Sequence, residues 1–474
     1  MQQSLPDRRS WLCIAYAFPP INRSGTHRTL AFVKHLHRAG WDATVLTVDP
    51  RDEPIDDSLL AELPDTTSII RTKWFRPLEP LARLRRFSPS RSGLAARDFR
   101  TQSPPNRKSK IENLQSFRDW LSRLLQLPDS RIGWLPPAVW AGLGAIRRRR
   151  PDVIYSTSPY ASAHLIALVL SRLTRLPWVA DFRDPWCANP FRNLPYSSLR
   201  HLDALLERVV VASAAHIVCN TPTVADDFQR RYPTVASRCT VIANGIDFER
   251  FTGVQPKRCA RADEFVLLHS GQFYGPRSPA PLFAALRRLA TNPESDCTPI
   301  RLALLGPDSY DGQPLRELAA QAGVADRVDI LGTKCHAEAL SYMAGADALI
   351  LVGGAGHGAD LQVPNKLFEY LALRRPILAL LAPDSPARTV LREARADAIV
   401  CEPTDDARIA QAMQTLADPN RIVPEDYWTG LDRFDRSRRA VELLAVFERI
   451  SKIRAPIGTP EISPGSSVLG SLAP

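Results

Sequence analysis

Short apolar runs alternate with amphipathic segments along most of this chain. A sequence with that alternation can bury its runs only as strands of a largely parallel sheet covered by helices. Residues 11–18, WLCIAYAF, read as a buried strand, and PPINRSG reads as a loop. HRTLAFVKHLHRAG reads as a helix with apolar positions at Leu30, Val33 and Leu36 and a stop at Gly40, and WDATVLTVD as a second strand. Strand, glycine-containing turn, helix and strand open a doubly wound sheet. The pattern continues in PDVIYSTS, ASAHLIALVLSRLTRL and PWVADFRD, with a helix over 201–215 and short strands at HIVCNT and TVIANG. It breaks at 249–263, ERFTGVQPKRCARAD, which is polar and lacks periodicity. From FVLLHSG the alternation restarts and runs to about residue 428.

The expected fold class is therefore α/β: two Rossmann-like, doubly wound domains facing a central cleft, followed by a terminal helix. The boundaries are residues 1–248 and 263–428 for the domains, 429–454 for an amphipathic helix and 455–474 for a disordered tail. Ligands bind such sheets at the carboxyl ends of the strands, which places the expected site between the domains.

A length of 474 residues suits two domains with elaborations. The eight cysteines stand singly with no C-x-x-C, which argues for free thiols in a reducing compartment. The N-terminal apolar run is short and meets Pro19 and Pro20, so it is not a signal peptide, and no stretch is long and apolar enough for a transmembrane helix. The expected location is the cytoplasm, with contact to the inner face of the cell membrane as an addition. That addition comes from the charge. The net charge is +11, and residues 71–110 hold twelve Lys or Arg against two acids, interleaved with Trp74, Phe75, Leu78, Leu81, Leu84 and Phe87. Such an insertion fits an anionic membrane surface better than nucleic acid, for which no module is present.

Five motifs in order, FPPINRSGTHRTLAFVKHL, DFRDPW, ANGIDFERF, GQFYGPRSP and VPNKLFEYLALRRPIL, resemble the retaining glycosyltransferases of GT-B architecture, family 4 or group 1, over roughly residues 11–50 and 151–450. The resemblance implies sugar transfer from a nucleoside diphosphate sugar, with UDP or GDP expected, to a glycan or lipid-linked acceptor. Nucleic acid is not an expected partner, and no cofactor or metal is implied.

The residues themselves support a phosphate site. Arg277 follows a strand and precedes a helix, and Lys366 opens the helix that carries Glu369 one turn on. Two cations and a helix N-terminus can compensate a departing diphosphate without Mg²⁺. In the resembled family the glutamate matching Glu369 binds the donor ribose. The earlier glutamate of the family motif falls at Leu361, beside Asp360, which leaves the donor sugar open. The loop GGAGHGAD, with His357 and Gly358, and the strand-ending Gly271 can offer backbone N–H groups to sugar or phosphate. In the first half, Gly25 sits at the first strand-to-helix turn, where the diphosphate can approach, and Arg28 is a candidate phosphate partner. Asp184, in DFRDPW with Asp181 and Arg183, either accepts the acceptor hydroxyl proton or pairs with Arg183 to shape its loop. Asn244–Gly245 reads as a turn. Three rivals remain: a sugar-nucleotide epimerase, disfavoured because histidines are few and none cluster near Arg277; a degenerate binding or scaffold subunit; and a dehydrogenase, disfavoured because no G-x-G-x-x-G follows the first strand.

Overall fold

The computed structural model describes residues 8–51, 53–75, 117–189, 192, 194–291, 298–353 and 363–452. In the N-terminal half, strands β1 (Arg9–Ala15), β2 (Trp41–Val48), β3 (Ser68–Thr72), β4 (Val153–Thr157), β5 (Trp178–Phe182), β6 (His216–Cys219) and β7 (Cys239–Val241) form one parallel sheet. Its order is β3-β2-β1-β4-β5-β6-β7. The helices over it are α1 (Ser24–Arg38), α2 (117–124), α3 (Leu135–Arg149), α4 (Ser162–Thr174), α5 (Ser197–Ser213) and α6 (Pro222–Arg231). Ala39 caps α1 and Gly40 follows with φ +88°, the left-handed residue that ends a helix without a Cβ penalty.

The second half repeats the plan. Strands β8 (Phe265–Ser270), β9 (Ile300–Leu305), a short hairpin of β10 (Ser309–Tyr310) and β11 (Gln313–Pro314), then β12 (Val328–Gly332), β13 (Ala348–Val352), β14 (Ile377–Leu380) and β15 (Ala398–Cys401) follow in sequence. All but the hairpin form a parallel sheet ordered β12-β9-β8-β13-β14-β15. Its helices are α7 (Ala280–Thr291), α8 (Leu315–Gln321), α9 (His336–Gly345), α10 (Lys366–Leu373), α11 (Pro386–Glu393) and α12 (Asp406–Ala417). Both sheets reverse strand order at their first strand, between β1 and β4 and between β8 and β13. At such a point the loops part and leave a crevice.

The terminal helix α13 (Arg436–Lys452) does not stay with the second domain. Ala440, Leu443, Val446, Phe447 and Ile450 recur at helical spacing and are all buried against the N-terminal sheet. Phe447 lies 5.4 Å from the Trp11 ring and 5.5 Å from that of Trp41. Helix α1 is therefore covered on both sides, which explains its almost continuous burial. The returning chain is clamped at the sequence read as a turn. The Ile246 N–H donates to the Phe434 carbonyl (2.7 Å), and the Arg436 N–H to that of Ile246 (2.9 Å). A Cβ on Gly245 would stand 2.4 Å from the Phe434 oxygen, so this glycine permits a crossing rather than a turn.

The basic insertion begins later than residue 71. Arg71 lies in β3 and donates to the Pro19 carbonyl at 2.6 Å, and the Arg131 guanidinium covers the Trp74 ring at 4.3 Å. Residues 76–110 lie outside the described residues. No helix among the described residues is long and apolar enough to cross a membrane.

Candidate active site

The carboxyl ends of both sheets enclose a cavity of 570 Å³. The first domain supplies Asn22, Arg23 and His27 from the β1–α1 turn, Arg183, Asp184 and Asn189 after β5, and Asn220 and Asn244 after β6 and β7. The second supplies His269 and Ser270 at the end of β8, Gly271, Gln272, Tyr274 and Arg277 after it, Thr333, Lys334 and His336 after β12, and Asn365, Lys366 and Glu369 at the start of α10. Among the described residues, five cations, Arg23, Arg183, Arg277, Lys334 and Lys366, face two carboxylates, Asp184 and Glu369. The wall favours an anion.

Arg277 is held by a tight loop. Backbone N–H groups of Tyr274 and Arg277 each donate to the other's carbonyl at 3.1 and 3.0 Å, and the Arg277 guanidinium donates to the Tyr274 hydroxyl at 2.6 Å. Lys366 Nζ donates to Glu369 Oε2 at 2.8 Å. Burial opposes ionisation of Glu369, but Lys366 and then His336 outweigh it and hold the carboxyl below its ordinary range. Glu369 is thus an anchored carboxylate facing the cavity, suited to accepting hydroxyl protons. Burial acts the other way at Asp184, raising its carboxyl although Arg183 and Arg277 favour the charge. A carboxylate with raised proton affinity beside the cavity suits a proton acceptor.

One of the sequence readings changes. Arg28 is not available to phosphate. Its guanidinium donates to both Asp181 carboxylate oxygens (3.1 and 3.0 Å), to the Ile242 and Ala243 carbonyls (2.8 and 3.0 Å) and to Asn244 Oδ1 (3.3 Å). Asp181 has no exposed surface and also accepts from Tyr155 and Thr157. Arg28 and Asp181 are a buried structural pair. At Gly25 a Cβ would stand 2.2 Å from Arg183 Nη1, so the missing side chain leaves room for that guanidinium. Gly271 does line the cavity, with φ +149°. Gly358, Asp360, His357 and Leu361 lie outside the described residues.

The histidines escaped the sequence reading. His27, His269 and His336 are spread over 309 residues of chain, counted from 27 to 336, yet all line this cavity together with Asp184 and Glu369. The grouping absent near Arg277 in sequence exists in space, so that objection to an epimerase fails. His27 and His336 stack across the cleft with centroids 5.1 Å apart. Burial lowers His336 to about 4, so it is neutral at physiological pH. His269 stacks on Phe273 at 4.4 Å, and its Nδ1 lies 3.1 Å from the Ile350 carbonyl. Only a protonated Nδ1 bonds a carbonyl, which leaves Nε2 a buried acceptor without a partner among the described residues. The one available signal was position: His269 is the penultimate residue of a strand that ends at the cleft. Among the described residues no group of three or more His, Cys, Asp or Glu is placed to hold a metal ion.

Residues 25–245 match the glycosyl transferase 4-like domain, and residues 264–418 match glycosyl transferases group 1. No protein of curated function matches the sequence. Among solved structures, sucrose-phosphate synthase from Thermosynechococcus elongatus superposes with a TM-score of 0.57 at 16% identity, covering 94% of this chain and 98% of that one. HepE from Anabaena in complex with UDP gives 0.53 at 13% identity, covering 94% and 99%. A Listeria monocytogenes protein described as a UDP-N-acetylglucosamine 2-epimerase gives 0.52 at 10% identity, covering 94% and 97%. At these identities the likeness is one of fold, the GT-B architecture.

Proposed function

We infer that this chain, a glycosyltransferase by both of its matched domains and GT-B in fold, moves a sugar from a nucleoside diphosphate donor to an acceptor hydroxyl with retention. The carrying observation is the cavity wall, which among the described residues sets five cations against two carboxylates, drawn from the carboxyl ends of both sheets. Arg277 and Lys366 take the diphosphate, Glu369 takes the ribose hydroxyls, and UDP is the first candidate because a protein of this fold has been solved with it. Asp184, on the opposite side, receives the acceptor.

A front-face course suits these residues. The acceptor oxygen bonds to the anomeric carbon on the side from which the diphosphate departs, and its proton passes to the departing phosphate oxygen or to Asp184. The negative charge growing on the diphosphate is met by cations already in place, the arrangement that lowers a barrier most. Double displacement would need a free carboxylate under the sugar. Among the described residues of the cavity, Glu369 is occupied by Lys366, and Asp184 lies beside Arg183 and Arg277.

The test is incubation with labelled UDP-, GDP-, ADP- and dTDP-sugars, following release of nucleotide and of sugar. Transfer or slow hydrolysis with one donor supports the reading. Interconversion of the sugar on intact nucleotide would instead favour the epimerase, which the three histidines and two carboxylates of the cavity make the specific rival. Binding of UDP without turnover would identify a degenerate subunit.

Activity should survive EDTA, because the cations can stabilise the departing diphosphate unaided. Loss of activity in chelator, restored by Mg²⁺ or Mn²⁺, would show that the basic wall is insufficient.

A further inference from the structure

We propose that α2 and the outer side of α5 form a face that docks on an anionic lipid bilayer and passes a lipid-borne acceptor to the cavity. On α2 and its end, Phe117, Leu121 and Leu125 are exposed at 58%, 36% and 37%. On α5, Leu202 and Leu205 are exposed at 36% and 54%. The two helices are joined: Trp120 Nε1 donates to Ser198 Oγ at 3.1 Å, and Phe117 stacks on Trp120 at 6.0 Å. Ser198, Leu202 and Leu205 fall on one side of α5 by helical spacing, so the apolar residues of both helices belong to one area.

The charge around this area decides the occupant. Arg118, Arg123, Arg200 and Arg208 lie on the same two helices. Of the acids there, Asp119 pairs with Arg123, while Asp203 and Glu207 are buried at 2% and 0% exposure. The solvent therefore meets apolar side chains among arginines, which fits an anionic bilayer: the apolar groups enter the headgroup boundary and the arginines meet lipid phosphates.

The face also leads inward. A cavity of 340 Å³ beside it is lined by Arg123, Gln126, Pro128, Asn189 and Arg192. Asn189 also lines the main cavity, which holds Asp184. A polar headgroup can thus pass Asn189 towards Asp184 while its apolar tail stays at the face. This assignment rests on the transferase reading, and it names the acceptor class as an amphipathic lipid rather than a free sugar.

The experiment is co-sedimentation of the full chain with phosphatidylglycerol vesicles at roughly 0.15 M salt, with phosphatidylcholine as control. The wild type should bind only the anionic vesicles, and Leu121→Glu/Leu205→Glu should cut the bound fraction about tenfold or more. Both positions are exposed, so the variant should melt as wild type does and keep its thermal shift with UDP. Loss of that UDP shift in the wild type would count against the transferase reading and leave the docking result standing. An Arg83→Glu/Arg85→Glu/Arg86→Glu variant separates this face from the basic insertion. The proposal is overturned if the leucine variant sediments like wild type, whether or not the arginine variant does, or if the wild type binds neither vesicle.

Discussion

Replacing Lys366 or Arg277 with Ala lowers turnover about 100-fold or more while leaving the fold intact, as expected for donors aimed at a developing charge. Neither side chain is part of a core. Lys366 is 35% exposed and touches Glu369, and Arg277 rests on the exposed Tyr274. The two variants should differ in the second parameter. Lys366→Ala also releases Glu369 from its ion partner, so the donor KM should rise along with the fall in kcat. Arg277→Ala should act mainly on kcat, since it disturbs no carboxylate that binds the ribose. Glu369→Ala should raise the donor KM with a smaller change in kcat. Near-normal steady-state kinetics in both cation variants would remove this cavity as the reaction site.

Arg28→Ala destabilises the protein by about 3–5 kcal/mol, because it strands Asp181 as a buried charge without its counter-ion. The pair shows 4% and 0% side-chain exposure, and three further acceptors on residues 242–244 depend on the same guanidinium. Burial opposes the charge on Asp181, and Arg28 more than compensates, so its folded-state carboxyl sits below the ordinary range. A lowered folded value means the stabilisation is present above the unfolded carboxylate range and is lost as pH falls through the folded value. The wild type should therefore lose this contribution only in strong acid, while Arg28→Ala lacks it at neutral pH. Chemical unfolding of both proteins at two pH values measures this. An unchanged stability with lost donor affinity would restore Arg28 as a phosphate ligand.

The strand and helix order of both domains was legible because continuous apolar runs, buried on both faces, and period-3.6 stripes are written locally, residue by residue. Lys366 and Glu369 were legible for the same reason: they share one helical turn, and one turn is enough to place them together. Arg277 could be put at a strand end and hence at the cleft. The role of Arg28 was not legible, since its partner Asp181 is 153 residues away and pairing depends on β1 and β5 flanking β4. Sequence placed Arg28 near phosphate by its position on the first helical turn, whereas the fold pairs it with Asp181. The three histidines escaped for the same reason, each sitting at the cleft end of a different element: His27 and His336 in the first turns of α1 and α9, and His269 near the end of β8.

Hydrophobic patterning alone thus determined the two doubly wound α/β sheets. Tertiary structure alone decided which charges are neutralised inside the fold and which face the cavity, and it sent the terminal helix back to the first domain. The physical reason is that an amphipathic stripe specifies only that it must be covered, not by what. An ionisable side chain likewise carries no local mark of whether its counter-charge will come from the protein or from a ligand.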